Sequence, residues 1–493
     1  MSRLIVVSNR VSVPQAMGAA GAQGGLAVAL SAALREHRGM WFGWSGKETE
    51  TFTGHLDMQR NQDVTTATID LEPQDIDEYY NGYANRTLWP LFHYRIDLTE
   101  YDRNFDEGYE RVNARFADSV VPLIEPDDLV WVHDYHLLPL GAMLREKGIS
   151  NRMGLFLHIP WPPTRLFVSL PNHEQLVESM LQYDLLGFQT DEWLDSFLHY
   201  IKKELGLKVE ADGTILYQDR RIAARAFPIG IDYKEFVESS ESEEAIGAYE
   251  RLKNSLGGQR KMLIGVDRLD YSKGLGERFD SFGRFLTDNP DKAKDVVLLQ
   301  IAPPSRGDVE SYQLIRQDLE RKAGHINGAH ADVAWVPIRY VNRGYPRSEL
   351  AGFYRAADIA LVTPLRDGMN LVAKEFVAAQ DPEDPGVLIL SRFAGAAPQM
   401  PDAILVNPHS TEEVSEAIKT ALHMPLEERK RRHQALLVSV RDEDVVRWRE
   451  DFVTALQGPQ DDGFVLESKS VPMPASPSAP APCPAPAGEP LHS

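Results

Sequence analysis

The chain has 493 residues, 43% apolar and 25% charged, and a net charge of −21. That length exceeds one ordinary core and predicts two domains or more, and the acidic balance argues against a general nucleic-acid or membrane-surface binder. The single cysteine, Cys483, excludes a disulfide framework and a cysteine metal site, and no run of about 18 apolar residues marks a membrane span.

MSRLIVVSNR opens directly into a strand-like run without a signal peptide's apolar core, so the cytoplasm is the expected compartment. Residues 3–8, RLIVVS, predict a buried strand. A Gly/Ala-rich loop ending in Gly24-Gly25 and a helix-like run from Leu26 to Glu36 follow. Strand, glycine turn and helix present bare backbone N–H groups to a phosphate, although a glycine pair is not a G-x-G-x-x-G fingerprint. Arg10, directly after the strand, reads as a phosphate ligand or as a surface arginine. WFGWSG (41–46) and DEYYNGYANRTLWPLFHYR (77–95) are dense in aromatics that lack amphipathic periodicity. Most of these rings are expected to pack a core and a minority to form a sugar platform; stacking on nucleic acid would need interleaved basic residues.

DLVWVHDYHLLPL (128–140) predicts a strand, a turn and a helix. His133 and His136 lack the second ligand pair that zinc needs and are expected to position and pack. Asp134, at the strand's carboxyl end, is the better functional candidate. MGLFLHIPWPP (153–163) is a second strand, ending at His158 and a proline-rich turn, and YDLLGFQT (183–190) is a third; helical runs at 172–182 and 191–205 alternate with them. Such alternation predicts a doubly wound parallel sheet whose ligands bind at the strands' carboxyl ends. Arg10, Asp134 and His158 fall there. RIAARAFPIGID (221–232) reads as the last strand of this half and its exit, and 238–258 as a polar linker plus a helix.

The second half repeats the plan. KMLIGVDRLDYSKGL (261–275) is a strand, a loop carrying Arg268 and Lys273, and a helix start; VVLLQIAPPSRGD (296–308) is a strand and a turn with Arg306. VAWVPI (333–338), IALVTP (359–364), VLILSRFAGAA (387–397) and AILVNP (403–408) predict further strands, and 410–457 is helix-rich. Arg268 with Lys273, Arg306 and Arg366 lie at three strand ends of one sheet in an acidic protein, which suggests a phosphate-binding cleft. In TPLRDGMNLVAKE (363–375) a strand feeds a glycine turn into a helix start. Asp367 reads as the helix N-cap or as a sugar ligand, and Glu375, two turns on, as a solvated residue or as a second hydroxyl grip. Nine prolines among the last 36 residues, 458–493, predict a disordered tail.

SNR (8–10), GGLAVAL (24–30), WFGWSG, EYYNGYANRTLWPLFHY, VWVHDYHLLPL, FLHIPWPP, DLLGFQT, PIGID, DRLDYSKGL, QIAPPSRGDV and TPLRDGMNLVAKE resemble retaining glycosyltransferase family 20, the trehalose-6-phosphate synthases, almost continuously from residue 3 to about residue 456. The resemblance implies an α/β GT-B fold, two Rossmann-like doubly wound domains facing a central cleft. Residues 1–237 would bind the acceptor and 238–457 the nucleotide sugar, with the last helix crossing back and the tail outside. It implies transfer of glucose from UDP-glucose to the anomeric hydroxyl of glucose-6-phosphate with retention, using no metal or other cofactor. A close variant, glucosylglycerol-phosphate synthase, keeps the fold and donor and changes the acceptor; ADP- or GDP-glucose stays open as the donor.

The family's roles carry over by position. Arg268 and Lys273 match the pair on the donor diphosphate, and Gly25 a backbone contact to it. Glu375 matches the ribose carboxylate. Asp367 and the backbone of Gly368, Met369, Asn370 and Leu371 match contacts to the donor glucose and phosphate. His158 matches a contact to the transferred glucose, and Asp134 a sugar ligand at the reaction centre. Arg10, Tyr80, Trp89 and Arg306 match the acceptor pocket, together with Trp44 or Trp41. The resemblance further implies a homodimer or homotetramer and a separate phosphatase acting on the product.

Overall fold

The computed structural model describes residues 2–11, 34, 39–61, 64–257, 260–305 and 310–458. The Gly24-Gly25 turn and the run expected to follow it, Arg306, and the proline-rich tail with Cys483 lie outside these apart from Leu34.

β1 (Leu4–Arg10) is buried along its length until Arg10. It pairs in parallel with β2 (Met40–Glu48), and β3 (Asp57–Asn61) and β4 (Val64–Leu71) extend the sheet beyond β2. On the other side of β1 run β5 (Leu129–His133), β6 (Met153–Phe156) and β7 (Leu185–Phe188), all parallel. β8 (Lys208–Val209), β9 (Thr214–Tyr217) and β10 (Arg220–Ala226) finish an order of β3-β4-β2-β1-β5-β6-β7-β10-β9-β8. The second sheet holds β11 (Lys261–Val266), β12 (Val296–Ile301), β13 (Ile338–Val341), β14 (Ile359–Val362), β15 (Val387–Ser391) and β16 (Ile404–Val406), ordered β13-β12-β11-β14-β15-β16 and parallel throughout. Strand order reverses at β1/β5 in the first sheet and at β11/β14 in the second. Crevices open at such reversals, outside the strands' carboxyl ends.

Three strands, β2 to β4, were not expected. Trp41, Phe42 and Trp44 are buried on both faces of β2, so the alternation that marks a half-exposed strand is missing. The second aromatic run forms a π-helix, Ile76–Leu88, closed by a bond from the Trp89 N–H to the Ala84 carbonyl. Its wider winding removes the 3.6-residue repeat of the α-helix. The strand expected at 333–338 is displaced. Residues 332–335 form a turn with Val333 fully exposed, and β13 begins only at Ile338, after Pro337, which lacks a ladder donor. The region expected as linker plus helix holds two helices, Tyr233–Ser240 and Glu243–Ser255.

Two chain crossings join the halves, at 227–232 and at 443–445. The Val445 N–H donates to the Ile231 carbonyl at 3.0 Å. The last helix, Val445–Gln457, then returns to the first sheet, where Phe452 stacks on Trp131 at 4.5 Å. Gly154 and Gly187 make room, since a Cβ on either would meet the Phe452 ring within 2.9 Å. Burying that phenyl group contributes about 2–3 kcal/mol to keeping the helix on the sheet. Among the described residues no helix is long and apolar enough to cross a membrane.

Candidate active site

The loops after β11 and β14 supply one wall of the cleft. Lys273 ends a short turn whose Asp270 carboxylate caps the Ser272 N–H, and Gly274 follows with φ +64°, a Cβ there falling 2.5 Å from the Thr363 carbonyl. This turn brings Lys273 Nζ to 2.6 Å from Asp367 Oδ2, both side chains nearly buried. Burial raises the Asp367 pKa, but the Lys273 charge and hydrogen bond, with His93 and Asn370, outweigh it, so the carboxyl ends below its ordinary value. Beneath the pair, buried Arg278 bonds Asp267, Gln300 and Thr363, tying together the ends of β11, β12 and β14.

Asp367 is not the helix cap. The helix runs Leu371–Ala379, and Asn370 caps it by accepting from the Ala373 N–H at 3.3 Å while its amide donates to Asp367 at 3.0 Å. Asn370 adopts φ +89°, which asparagine tolerates better than most residues. Asp367 is thereby left to pair with Lys273.

Glu375 sits just over one turn into that helix, with its side chain 15% exposed. The Tyr354 hydroxyl reaches it at 3.5 Å and the Arg347 guanidinium at 4.0 Å. Burial raises its pKa above the ordinary glutamate range, against the pull of Arg347 and Tyr354. At neutral pH a buried carboxylate therefore costs folding stability, and the cost disappears as pH falls below the unfolded-state value. Glu375→Gln is expected to stabilise the substrate-free protein by about 1 kcal/mol, seen as a higher Tm, while raising the donor KM. In the unsubstituted protein that KM should rise on acidification earlier than an ordinary glutamate would predict.

Arg366 does not join a phosphate cluster. Its guanidinium lies 4.2 Å from the Tyr94 ring centroid, 4.7 Å from Phe393 and 5.8 Å from Trp193, with Glu192 at 3.6 Å. Tyr94, Trp193 and Glu192 belong to the first half, so Arg366 fastens the β14 loop across the cleft. The Trp193 indole adds a bond to the Gly368 carbonyl at 3.3 Å.

The opposite wall is built at β1, β5 and β6. Asp134 follows β5 with φ +75° and ψ 171°, a conformation costing about 1–3 kcal/mol unless its surroundings impose it. Here its N–H donates to the Phe156 carbonyl at 2.8 Å, and its carboxylate accepts the His158 N–H at 3.1 Å. His158 bonds His133 at 3.0 Å and Gln189 at 3.3 Å through its ring nitrogens, and burial pulls its pKa down to about 3. The two walls meet here, since a Cβ on Gly368 would stand 2.1 Å from the His158 carbonyl oxygen.

A line of rings joins the remaining candidates. Arg268 covers Trp89 (5.6 Å), Trp89 meets Tyr135 (5.6 Å), and Tyr135 meets His136 (3.9 Å). His136 stacks on Tyr80 (6.0 Å), Tyr80 meets Trp44 edge-on (5.7 Å), and Arg10 covers Trp44 (5.4 Å). Exposed arginines thus stand at both ends of one aromatic floor. Trp41 points elsewhere, buried with its indole donating to Ser8 at 2.8 Å, so Trp44 is the tryptophan beside Arg10 and Tyr80. Met369 is buried and Leu371 opens the helix. Gly25 and Arg306 lie outside the described residues.

The family model for Glycosyltransferase family 20 matches residues 2–458. The chain belongs to glycosyltransferase family 20. A trehalose-6-phosphate synthase of Sinorhizobium fredii is 46% identical over 94% of this chain and 99% of its own. A Burkholderia xenovorans alpha,alpha-trehalose-phosphate synthase (UDP-forming), solved in complex with glucose-6-phosphate, is 48% identical, covers 92% of this chain and 100% of its own, and superimposes with a TM-score of 0.88. An E. coli member, bound with UDP-2-fluoro glucose, is 43% identical over 93% and 100% of the two chains, with a TM-score of 0.89. With two parallel sheets facing a cleft, the family's GT-B fold is the fold of this chain.

Several participants escaped the sequence reading. Arg347, Tyr354 and Gln189 each touch a candidate residue from a distant stretch, and nothing local distinguishes them, while His93 lies against Trp89 within the same aromatic run and Arg278 bonds the Lys273 carbonyl five residues away. A partial signal existed for Asp270, adjacent in DRLDYSKG to residues already singled out.

Proposed function

We propose that the chain transfers glucose from UDP-glucose to the anomeric hydroxyl of glucose-6-phosphate, releasing UDP and alpha,alpha-trehalose 6-phosphate with retention of configuration. The observation that carries this reading is the pair of cationic ends on one cleft. Lys273, Arg268 and the Asn370-capped helix start lie beside the Asp367 loop, as a departing diphosphate requires. Arg10 stands over Trp44 at the far end of the aromatic floor, as a phosphorylated acceptor requires. The Burkholderia and E. coli relatives, seen with glucose-6-phosphate and with a UDP-sugar analogue, support the same division.

In this reading Glu375 accepts from the ribose hydroxyls, Asp367 and the backbone from Gly368 to Leu371 hold the donor glucose and phosphate, and Tyr80, Trp89 and Trp44 line the acceptor pocket. The bond between the donor's anomeric carbon and the diphosphate oxygen breaks first. The acceptor hydroxyl attacks from the same face, and its proton passes to the departing phosphate oxygen. Double displacement would instead need a carboxylate about 3 Å from the anomeric carbon. Among the described residues Asp134 is the one candidate, and one oxygen of its carboxylate already accepts the His158 amide N–H.

UDP release is the test. It is expected with UDP-glucose and glucose-6-phosphate and not with glycerol-3-phosphate. Asp134→Asn should keep measurable turnover, whereas Arg268→Ala should lose about a hundredfold or more in kcat. No UDP release from any donor and phosphorylated acceptor would defeat the reading. The product retains its phosphate, so a separate phosphatase would consume it.

A further inference from the structure

Gln189 directly follows β7 in a stretch that read only as sheet, and it is buried. Its Oε1 accepts the Ile229 backbone N–H at 3.0 Å. A backbone amide only donates, so this contact assigns the oxygen, and the group 3.3 Å from His158 Nδ1 is the side-chain NH2. His158 Nδ1 must accept. A neutral imidazole that accepts at Nδ1 carries its proton at Nε2, and Nε2 lies 3.0 Å from His133 Nδ1 in rings only 20° from coplanar. His133 then accepts in turn and keeps its own proton on Nε2. That atom is buried without a hydrogen-bond partner among the described residues, in a ring 4.6 Å from that of Trp131.

We infer that Gln189 is a positioning residue: it gives one direction to a donor chain running Ile229, Gln189, His158, His133, and so locks His158 as the Nε2–H tautomer. The inference deepens the proposed function, because it rests on His158 lying at the donor sugar. Burial of both imidazoles, which keeps them neutral, agrees with it. Two consequences follow for the cleft. The ring is held at both nitrogens, which fixes the His158 peptide whose N–H orients Asp134 and whose carbonyl seats Gly368. With its one N–H given to His133 and its one lone pair taken by Gln189, His158 has no free nitrogen lone pair for a sugar hydroxyl and acts neither as a general base nor as a proton relay.

Nitrogen NMR of the full, substrate-free chain with isotope-labelled histidine tests this, with His158→Gln and His133→Gln used for assignment. The unsubstituted protein is expected to show both residues as Nε2–H. Gln189→Glu keeps the acceptor for the Ile229 amide but removes the donor. His158 Nδ1 should therefore gain a proton, and kcat should fall about tenfold to a hundredfold with little change in the acceptor KM. Gln189→Met, lacking both groups, should lose activity similarly without protonating Nδ1. An Nδ1–H signal for His158 in the unsubstituted protein overturns the inference, as does a His158 spectrum unchanged by Gln189→Glu. If the variants fail to fold, the unsubstituted spectrum decides alone. An Nε2–H His158 in a chain that releases no UDP would count against the proposed function and leave the tautomer lock standing.

Discussion

Lys273→Met is expected to abolish turnover and also to destabilise the protein by about 3–5 kcal/mol, because it leaves the Asp367 carboxylate buried without its partner. An exposed ion pair would contribute less than about 1 kcal/mol, but here the side chains are only 11% and 13% exposed. The double variant Lys273→Met/Asp367→Asn removes both charges, so most of the stability should return while activity does not. Denaturant unfolding of the four proteins in the cycle measures the coupling, and UDP release measures the function. The pH dependence has a definite sign. The folded pKa of Asp367 is depressed, so its stabilising contribution is present above the unfolded aspartate value and is lost as pH falls toward the folded value. A single variant as stable as the parent would mean that the pair is solvated and that the donor wall is not held this way.

Gly368→Ala should be nearly as damaging to activity and much gentler on stability. Its Cβ would stand 2.1 Å from the His158 carbonyl oxygen and 2.9 Å from the Ile159 Cα, both main-chain atoms that cannot swing aside. The clash lies between the two halves of the chain and outside either core, so the expected response is a cleft held open. We expect kcat/KM to fall at least about a hundredfold, a larger radius of gyration by X-ray scattering, and a modest fall in Tm. Gly324→Ala is the control: it lies within the helix Glu310–His330 with nothing within 4 Å of the added methyl, and should be neutral or slightly stabilising. Parent-like kcat and scattering for Gly368→Ala would show that the walls do not need this contact.

Much of this architecture was legible in the linear chain. IALV at 359–362 and VVLLQI at 296–301 are uninterrupted apolar runs because parallel strands are buried on both faces, and such runs signal themselves. The basic and acidic residues just beyond them, Lys273 and Asp367, meet because strand ends of one parallel sheet lie side by side. The illegible parts have equally specific causes. The winding of Ile76–Leu88 hides its repeat, β2 is buried on both faces by rings that read as a patch, and Val333, though β-branched and beside Trp335, lies in an exposed turn.

Composition and the order of motifs determined the class, the doubly wound plan and the charged residues at the strand ends, because each depends on residues near one another in sequence. Tertiary structure decided how each of those charges is paired and packed. Arg366, at an equivalent strand end to Arg268, turns out to be a fastener held by Tyr94, Phe393 and Trp193. Asn370 rather than Asp367 caps the helix, and that substitution of roles frees the carboxylate for Lys273. Trp44 rather than Trp41 shares the aromatic floor with Arg10 and Tyr80. The tautomer of His158 depends on an amide seventy-one residues away, at Ile229. Each of these outcomes turns on a contact across the sheets or across the cleft, where hydrogen-bond direction and ring packing select one arrangement among several that the chain order permits equally.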